Sequence, residues 1–545
     1  MDDTTDQECQ PEILSLADFH VTIPQDVYDL LSKQYSSLDN SNDVDGNETK
    51  HIDRILNCMK KSPVDTCCRV NQINSTVHEV KAGLQQYFAG KSTESHHHYN
   101  RCSFSLQQHD TLMDLVTIRT TDNNISNSHD NDMNLYESNV PPISKSNTKN
   151  DKQLLFANWH LRHKQGWPLT HRCIIVDRFC AEAVLRGADI FVKGILCADA
   201  GIIEGEEVAV YASLPHSRHS KGNTNTSSSA KSNPITRGML LQNYCDRCVF
   251  IGIGVSQCKR ADYFASSSGT GVVMTSIAGT QQPSMYGVLE GKMILQNLPS
   301  VVVAHALDPK PGEVILDMCC APGGKTTHLA SLMNDNGLII ACDKSRKKMI
   351  SARDFFQRNG ASCIVPLALD STKALLPLLP NDDEWKSPKQ IIDSALVTSD
   401  GLKNVKGFYP NSFDRILLDP PCSALGLRPK LHIDIKSAKE LLKAAEYQQK
   451  FIRNAIPLLK VGGRMTYSTC TINTYENEEM VKFILDEFSC MRLESLSNNL
   501  PGLPGLLDKG LTVEQCSFVR RFDPTDSLDT MGFFVAKFRK VTDLI

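Results

Sequence analysis

A chain of 545 residues exceeds what one hydrophobic core usually supports, so it is expected to divide into roughly two to four folded units. Apolar residues at 41% and charged residues at 22% exclude collagen-like, wholly disordered and disulfide-scaffold classes. The formal net charge of −4 withholds the strongly basic balance of many nucleic-acid binders, but Leu155 to Arg260 carries 13 Lys or Arg against 8 Asp or Glu, so a basic unit sits inside an acidic total.

The opening MDDTTDQECQ lacks the basic then apolar layout of a signal peptide, and no run approaches the roughly 18 apolar residues of a membrane span. Nineteen irregularly spaced cysteines therefore read as reduced thiols of a cytosolic or nuclear protein, and a cytoplasmic location with no membrane association is expected. Residues 1–88 form a first small region. Residues 89–152 are rich in Ser, Asn, Asp and His with little beyond Thr111 to Arg119 that can bury itself, and are expected to be a disordered insertion. His96, His97 and His98 within it read as a solvated low-complexity run, and no metal site is expected.

Residues 153–272 carry short β-like runs punctuated by Gly and Asp turns, as in AVLRGADIFVKGILCADAGIIEGEEVAVY and CVFIGIGV, which predicts a small β-rich domain. A polar tract at 215–234 reads as an extended hairpin loop. Cys245 and Cys248 form a C-x-x-C without a second pair nearby, so buried thiols are expected there in place of a zinc knuckle. From residue 273 to 545 apolar strands alternate with amphipathic helical stretches, which predicts a parallel, doubly wound α/β sheet, interrupted by a loop at 381–412.

In this last region the strand ending at Asp317 runs into Cys319-Cys320-Ala321-Pro322-Gly323-Gly324-Lys325 and then a helix. Ligands bind at the carboxyl ends of strands in open α/β sheets, although a turn of this kind can also be merely tight. The loop is neither a Walker A nor a three-glycine dinucleotide fingerprint. Asp343, nineteen residues after Gly324, closes the second strand where a carboxylate can accept both ribose hydroxyls, and Asp370 ends the third strand region beside an adenine amino group. An adenosine-containing cofactor fits this pattern. The fourth strand ends in Asp419-Pro420-Pro421-Cys422 and the fifth in Ser468-Thr469-Cys470, so two cysteines are delivered to one crevice. Methylation of a pyrimidine ring carbon uses such a pair: C5 of cytosine is a weak nucleophile until a thiolate adds at C6, and a second thiol beside C5 assists the later elimination. A carboxyl group at N3 supports the charge that appears on the ring.

CCAPGGKTT, DPPC, YSTCT and the following YENEE resemble the Sun-type RNA cytosine-5 methyltransferases, from about Gln296 to the closing GFFVAKF. The resemblance implies a Rossmann-like S-adenosylmethionine-dependent methyltransferase domain with Cys470 as nucleophile and Cys422 aiding release. Cys319 to Lys325 with Asp343, Asp370 and Asp419 would hold S-adenosyl-L-methionine, and Lys325 and Asp419 would also face the target base. Pro420 departs from the family's usual alanine and brings the motif close to the D-P-P-[YF] of exocyclic-amine methyltransferases, but two cysteines favour ring-carbon chemistry.

The middle unit is similar to a PUA module, as in a PUA-containing tRNA methyltransferase subfamily, with CCRVNQINSTVHEVKAGL resembling that family's small N-terminal α/β region. This implies a protein that grips tRNA at its acceptor stem and CCA end; Arg186 and Lys193, flanking the RGADIF turn, read as phosphate contacts or as solvated surface charges, and a monomer is expected. Methylation of rRNA or mRNA, and an RNA-binding protein without catalysis, remain as alternative readings.

Overall fold

The computed structural model describes residues 11–39, 49–91, 104–120, 171–214, 235–279, 282–285, 287–377 and 385–543. His96 to His98 and the tract at 215–234 lie outside these residues. The catalytic unit is built on a mixed sheet whose strands run, in space, Ile364–Ala368, Leu338–Asp343, Val314–Asp317, Phe413–Leu418, Leu459–Thr469, Phe533–Lys540 and Met491–Glu494. The first five are parallel; Phe533–Lys540 runs antiparallel to them, and Met491–Glu494 pairs antiparallel with it. In chain order the parallel strands read third, second, first, fourth, fifth. The order therefore reverses between Val314–Asp317 and Phe413–Leu418, and a crevice opens there at the strands' carboxyl ends. These strands are apolar almost throughout because helices cover both faces.

The middle unit is a second sheet, in the order Ile190–Phe191, Thr270–Ile277, Cys248–Ser256, Glu207–Ser213, Arg172–Val176, Ile195–Ala198 and Met239–Leu240. It recruits Ile13–Leu14 as a parallel partner of Cys248–Ser256, so the chain's first described strand belongs here and not to a separate N-terminal region. Thr270–Ile277 carries the unit past the expected boundary at 272. Cys248 is a buried free thiol as expected, whereas Cys245 is disulfide-bonded, against the expectation of reduced thiols.

A third, antiparallel sheet takes the order Met293–Leu295, Thr66–Val70, Leu115–Thr120 and Phe104–Gln108, flanked by the helix Val77–Lys91. This corrects two expectations. Residues 104–120 of the supposed disordered insertion are a folded hairpin, because Val116 and Ile118 pack with Val70, Val80 and Leu84 while Leu112 and Leu115 enter the core of the catalytic unit. Met293–Leu295, expected in the methyltransferase domain, pairs with Thr66–Val70. The loop expected at 381–412 likewise contains a helix, Pro388–Ser394, started by a capping box between Ser387 and Gln390, and buries Ile392, Leu402 and Phe408.

The three sheets share cores. Leu31, Tyr35 and Ile55 from the N-terminal helices Gln25–Tyr35 and His51–Met59 pack with the middle sheet and with Leu425, Leu431 and Ile472 of the catalytic unit. A buried ion pair reinforces this junction: Arg521 donates to Glu478 through Nε at 2.8 Å and a terminal nitrogen at 2.6 Å, and its other terminal nitrogen reaches the Tyr35 hydroxyl at 2.5 Å. Removing one partner of a desolvated pair strands the other charge, so Glu478→Gln is expected to lower unfolding free energy by about 3–5 kcal/mol, and Glu478→Leu with Arg521→Met to recover most of it. Urea unfolding measures both; a single variant with an unchanged midpoint would show that the pair does not hold the junction.

Candidate active site

The first strand ends in Asp317 and is followed by a turn that only glycine can make. Gly323 has φ +115°, and a Cβ there would lie 2.5 Å from the Phe356 ring. The helix Gly324–Leu332 starts at once, so its unsatisfied N–H groups face the crevice, a setting that favours anionic groups. Cys319, Ala321, Pro322, Gly324, Lys325, Asp317 and Asp419 line one cleft of about 770 Å³, whose other walls come from the N-terminal sheet and the middle unit. Cys320 lines it through its backbone, since its thiol turns into the core against Met349 Sδ at 3.5 Å.

Asp343 and Asp370 follow neighbouring strands, as expected. Asp343 accepts the Ser345 N–H at 2.8 Å, and Asp370 pairs with Lys344 at 3.2 Å and accepts from the Thr372 hydroxyl at 2.6 Å. Burial opposes the charge on Asp370, but its hydrogen bonds from Thr372 and Lys344 hold the carboxyl below its ordinary value. A glycine turn of close approach, an open helix N-terminus and carboxyl groups at the next two strand ends together fit a nucleoside-bearing donor.

The two cysteines and the Lys325–Asp419 pair gather at the fourth and fifth strand ends. Asp419 accepts from Lys325 Nζ at 2.7 Å and from the Ser468 hydroxyl at 2.6 Å. Burial works against the Lys325 ammonium, yet the Asp419 carboxylate offsets it and raises the lysine above its usual value. Cys422 Sγ lies 3.1 Å from Cys470 Sγ. The hydrogen bond from the Cys422 thiol holds Cys470 below the ordinary cysteine value, against burial and Asp419 and with help from Lys325, while the same contact and burial push Cys422 well above it. One sulfur of the pair is thus poised as thiolate and the other as thiol.

Three functional groups escaped the sequence reading. Asp317 is fully buried, accepts from the Thr326 hydroxyl at 2.8 Å and is pushed by burial up to about 7. Ser468 orients Asp419. Glu476, within the quoted YENEE, accepts the Ser423 N–H at 3.0 Å beside Cys422. A carboxylate closing an apolar strand was a legible signal for Asp317; the other two depend on contacts between loops. Of the expected RNA contacts, Arg186 is exposed on the main cleft's wall, whereas Lys193, also exposed, is not among the residues lining it.

Asp114, His305 and His328 present one ligand atom each within a small volume, a set able to hold a metal ion. Both imidazole Nε2 atoms instead meet the Asp114 carboxylate, at 2.8 and 2.7 Å. Metal-bound imidazoles normally donate through the second nitrogen, and buried His328 Nδ1 has no partner there. The trio therefore reads as a clasp between the 104–120 hairpin and two helices of the catalytic unit.

Gly323→Ala tests the cofactor turn. Left-handed strain of about 1–2 kcal/mol, added to the clash with Phe356, should weaken S-adenosylmethionine binding by more than about tenfold. Titration calorimetry measures this, and unchanged affinity would remove the turn from the cofactor site.

A family model described as 16S rRNA methyltransferase RsmB/F matches residues 304–378 and 389–539, and a PUA domain model matches residues 173–224. The tRNA (cytosine(72)-C(5))-methyltransferase NSUN6 of Mus musculus is 38% identical over 393 residues, covering 67% of this chain and 74% of its own. The rRNA (cytosine-C(5))-methyltransferase NOP2C of Arabidopsis thaliana is 34% identical over 478 residues, 73% of this chain and 78% of its own. The crystal structure of NSun6 from Pyrococcus horikoshii with SFG shares the fold, with a TM-score of 0.58 at 24% identity, covering 95% of this chain and 99% of that one. The chain belongs to the RsmB/F, or Sun, family of RNA cytosine-C5 methyltransferases and carries a PUA domain ahead of its Rossmann-like catalytic unit.

Proposed function

We propose that the chain transfers a methyl group from S-adenosyl-L-methionine to C5 of a cytosine near the acceptor end of tRNA. The observation that carries the chemistry is the 3.1 Å contact between Cys422 and Cys470 beside the Lys325–Asp419 pair. The Cys470 thiolate adds to C6, and the electron pair displaced from the C5=C6 bond makes C5 nucleophilic. S-adenosylmethionine, when bound, supplies the electrophilic methyl group. Asp419 and Lys325, fixed against each other, face the polar edge of the base and stabilise the charge that develops across N3. The C5 proton then leaves, C5=C6 re-forms, and the C6–S pair returns to Cys470.

Support for a tRNA target comes from the PUA module and from relatives named for cytosine 72 of tRNA, in Mus musculus and, at 33% identity, in Pyrococcus horikoshii. Methylation of rRNA is the second reading, favoured by the similarity to NOP2C. Sequencing of 5-methylcytosine after incubation with total RNA separates the two: the acceptor end of tRNA is expected, and a mark confined to rRNA would replace that target.

Cys470→Ser should abolish methyl transfer while leaving cofactor binding nearly intact, because a hydroxyl of similar size is a far poorer nucleophile. Cys422→Ala should instead leave RNA tethered to Cys470, visible as a slow band on a denaturing gel that is absent in the double variant. Free product formed at the normal rate by Cys422→Ala would remove Cys422 from release.

Arg186→Glu should weaken tRNA binding and flatten the slope of log affinity against log salt by about one, since one phosphate contact is lost. Filter binding across a salt series checks it, and equal slopes would take the middle unit's edge of the cleft out of RNA recognition.

A further inference from the structure

Glu476 has no exposed surface and lies behind the two cysteines. Its Oε2 accepts the Ser423 backbone N–H at 3.0 Å and Gln448 Nε2 at 2.7 Å, and its Oε1 accepts Asn473 Nδ2 at 3.0 Å. Burial pushes this carboxyl above its ordinary value, while its three hydrogen-bond donors favour the charged form against that. Its own backbone is fixed in turn, because the Tyr467 hydroxyl lies 2.7 Å from the Glu476 carbonyl and 2.8 Å from Gln448 Oε1 and shares its one proton between these two acceptors. Gln448 also donates to the Pro421 carbonyl at 3.1 Å, so the peptide groups on both sides of Cys422 are tied to one buried cluster. On the other side of the pair, the Ser423 hydroxyl meets the Thr471 hydroxyl at 2.7 Å, and Gly426 N–H donates to the Cys470 carbonyl at 3.0 Å.

We propose that Glu476 is a positioning residue for the release half of the reaction: it holds the backbone at Cys422 so that this sulfur stays beside the Cys470–C6 bond until the C5 proton has gone. The inference rests on the reading that both cysteines serve methyl transfer. Once Cys470 is bonded to C6 it no longer takes the Cys422 proton in a hydrogen bond or sets a negative charge beside it, so Cys422 gives its proton to solvent and, as thiolate, takes the C5 proton. The C5–H electron pair re-forms C5=C6, and the C6–S pair leaves with Cys470. Addition needs only Cys470, whose backbone is set by the strand Leu459–Thr469 that immediately precedes it. The two half-reactions therefore depend differently on Glu476.

Its length and its charge have separate consequences. Glu476→Asp keeps the anion but retracts it by one methylene, out of reach of the Ser423 N–H. Glu476→Gln keeps the reach, with the amide oxygen able to accept from Ser423, but removes a negative charge that faces both sulfurs. The other titratable groups facing Cys470 are Cys422, Asp419 and Lys325, which both substitutions leave in place. An anion opposes thiolate formation, so its removal should move the acid limb of the rate profile to lower pH.

The experiment uses the full chain, S-adenosylmethionine and a tRNA transcript ending in CCA. Glu476→Asp is expected to complete the first turnover of methyl transfer at about the wild-type rate, to slow steady-state release by about 10²-fold, and to accumulate the protein–RNA adduct on a denaturing gel. Glu476→Gln is expected to show wild-type adduct levels with its acid limb shifted to lower pH. Normal release by Glu476→Asp, equal loss of first and later turnovers, or an unmoved limb in Glu476→Gln would each overturn the role. Where Glu476→Asp does not fold, the pH profile of Glu476→Gln decides alone. Absence of methyl transfer by the wild-type protein would instead overturn the methyltransferase reading itself.

Discussion

Two sulfurs 3.1 Å apart at the ends of adjacent parallel strands are the constraint on which the site depends. Such a contact needs both loops held to a few tenths of an ångström, and the fold supplies this through backbone as much as side chains. Gly426 gives its N–H to the Cys470 carbonyl and receives the Gly532 N–H on its own carbonyl, so the loop after the fourth strand is stitched to the fifth strand end and to the closing strand. A side chain at Gly426 would collide with the Gly532 backbone. Glu476, Gln448 and Tyr467 complete the brace from behind.

The same arrangement sets the electrostatics. Lys325 is anchored on the first turn of the helix that follows the glycine turn, yet its ammonium reaches Asp419 at the end of the fourth strand. It therefore links the glycine turn to the strand end that leads to Cys422. The strand-order reversal between Val314–Asp317 and Phe413–Leu418 makes this reach possible, because it leaves the two strand ends adjacent while their loops diverge. Arg69 extends the linkage to the N-terminal sheet, with its fully buried guanidinium donating to Gln296 at 2.7 Å and to the Thr327 hydroxyl at 3.0 Å on that same helix.

The catalytic sheet was legible because each of its parallel strands is a short apolar run ending in a polar or cysteine-bearing motif, and local pattern and tertiary role agree. The hairpin at 104–120 was not assigned from sequence, although LMDLVTIR announces it, because its polar flanks dominated the composition. Ser387-Pro388 with Gln390 is a readable helix start inside the supposed loop at 381–412. The pairing of Met293–Leu295 with Thr66–Val70, more than two hundred residues away, has no local signature. The site divided in the same way. The pairing of Cys422 with Cys470 follows from residue type and strand position, and the roles of Lys325 and Asp419 from the motifs' resemblance to the family, while Ser468 and Glu476 matter through partners brought together only by folding.

The central claim is that Cys470 bonds to a cytosine carbon during the reaction. A direct measurement incubates the intact protein and S-adenosylmethionine with tRNA whose acceptor-end cytosine carries fluorine at C5, which cannot leave as a proton, followed by proteolysis and mass mapping of the nucleotide-bearing peptide. The account predicts a methylated fluorocytosine nucleotide on the peptide containing Cys470. Attachment at Cys422, or at any other residue, would contradict it.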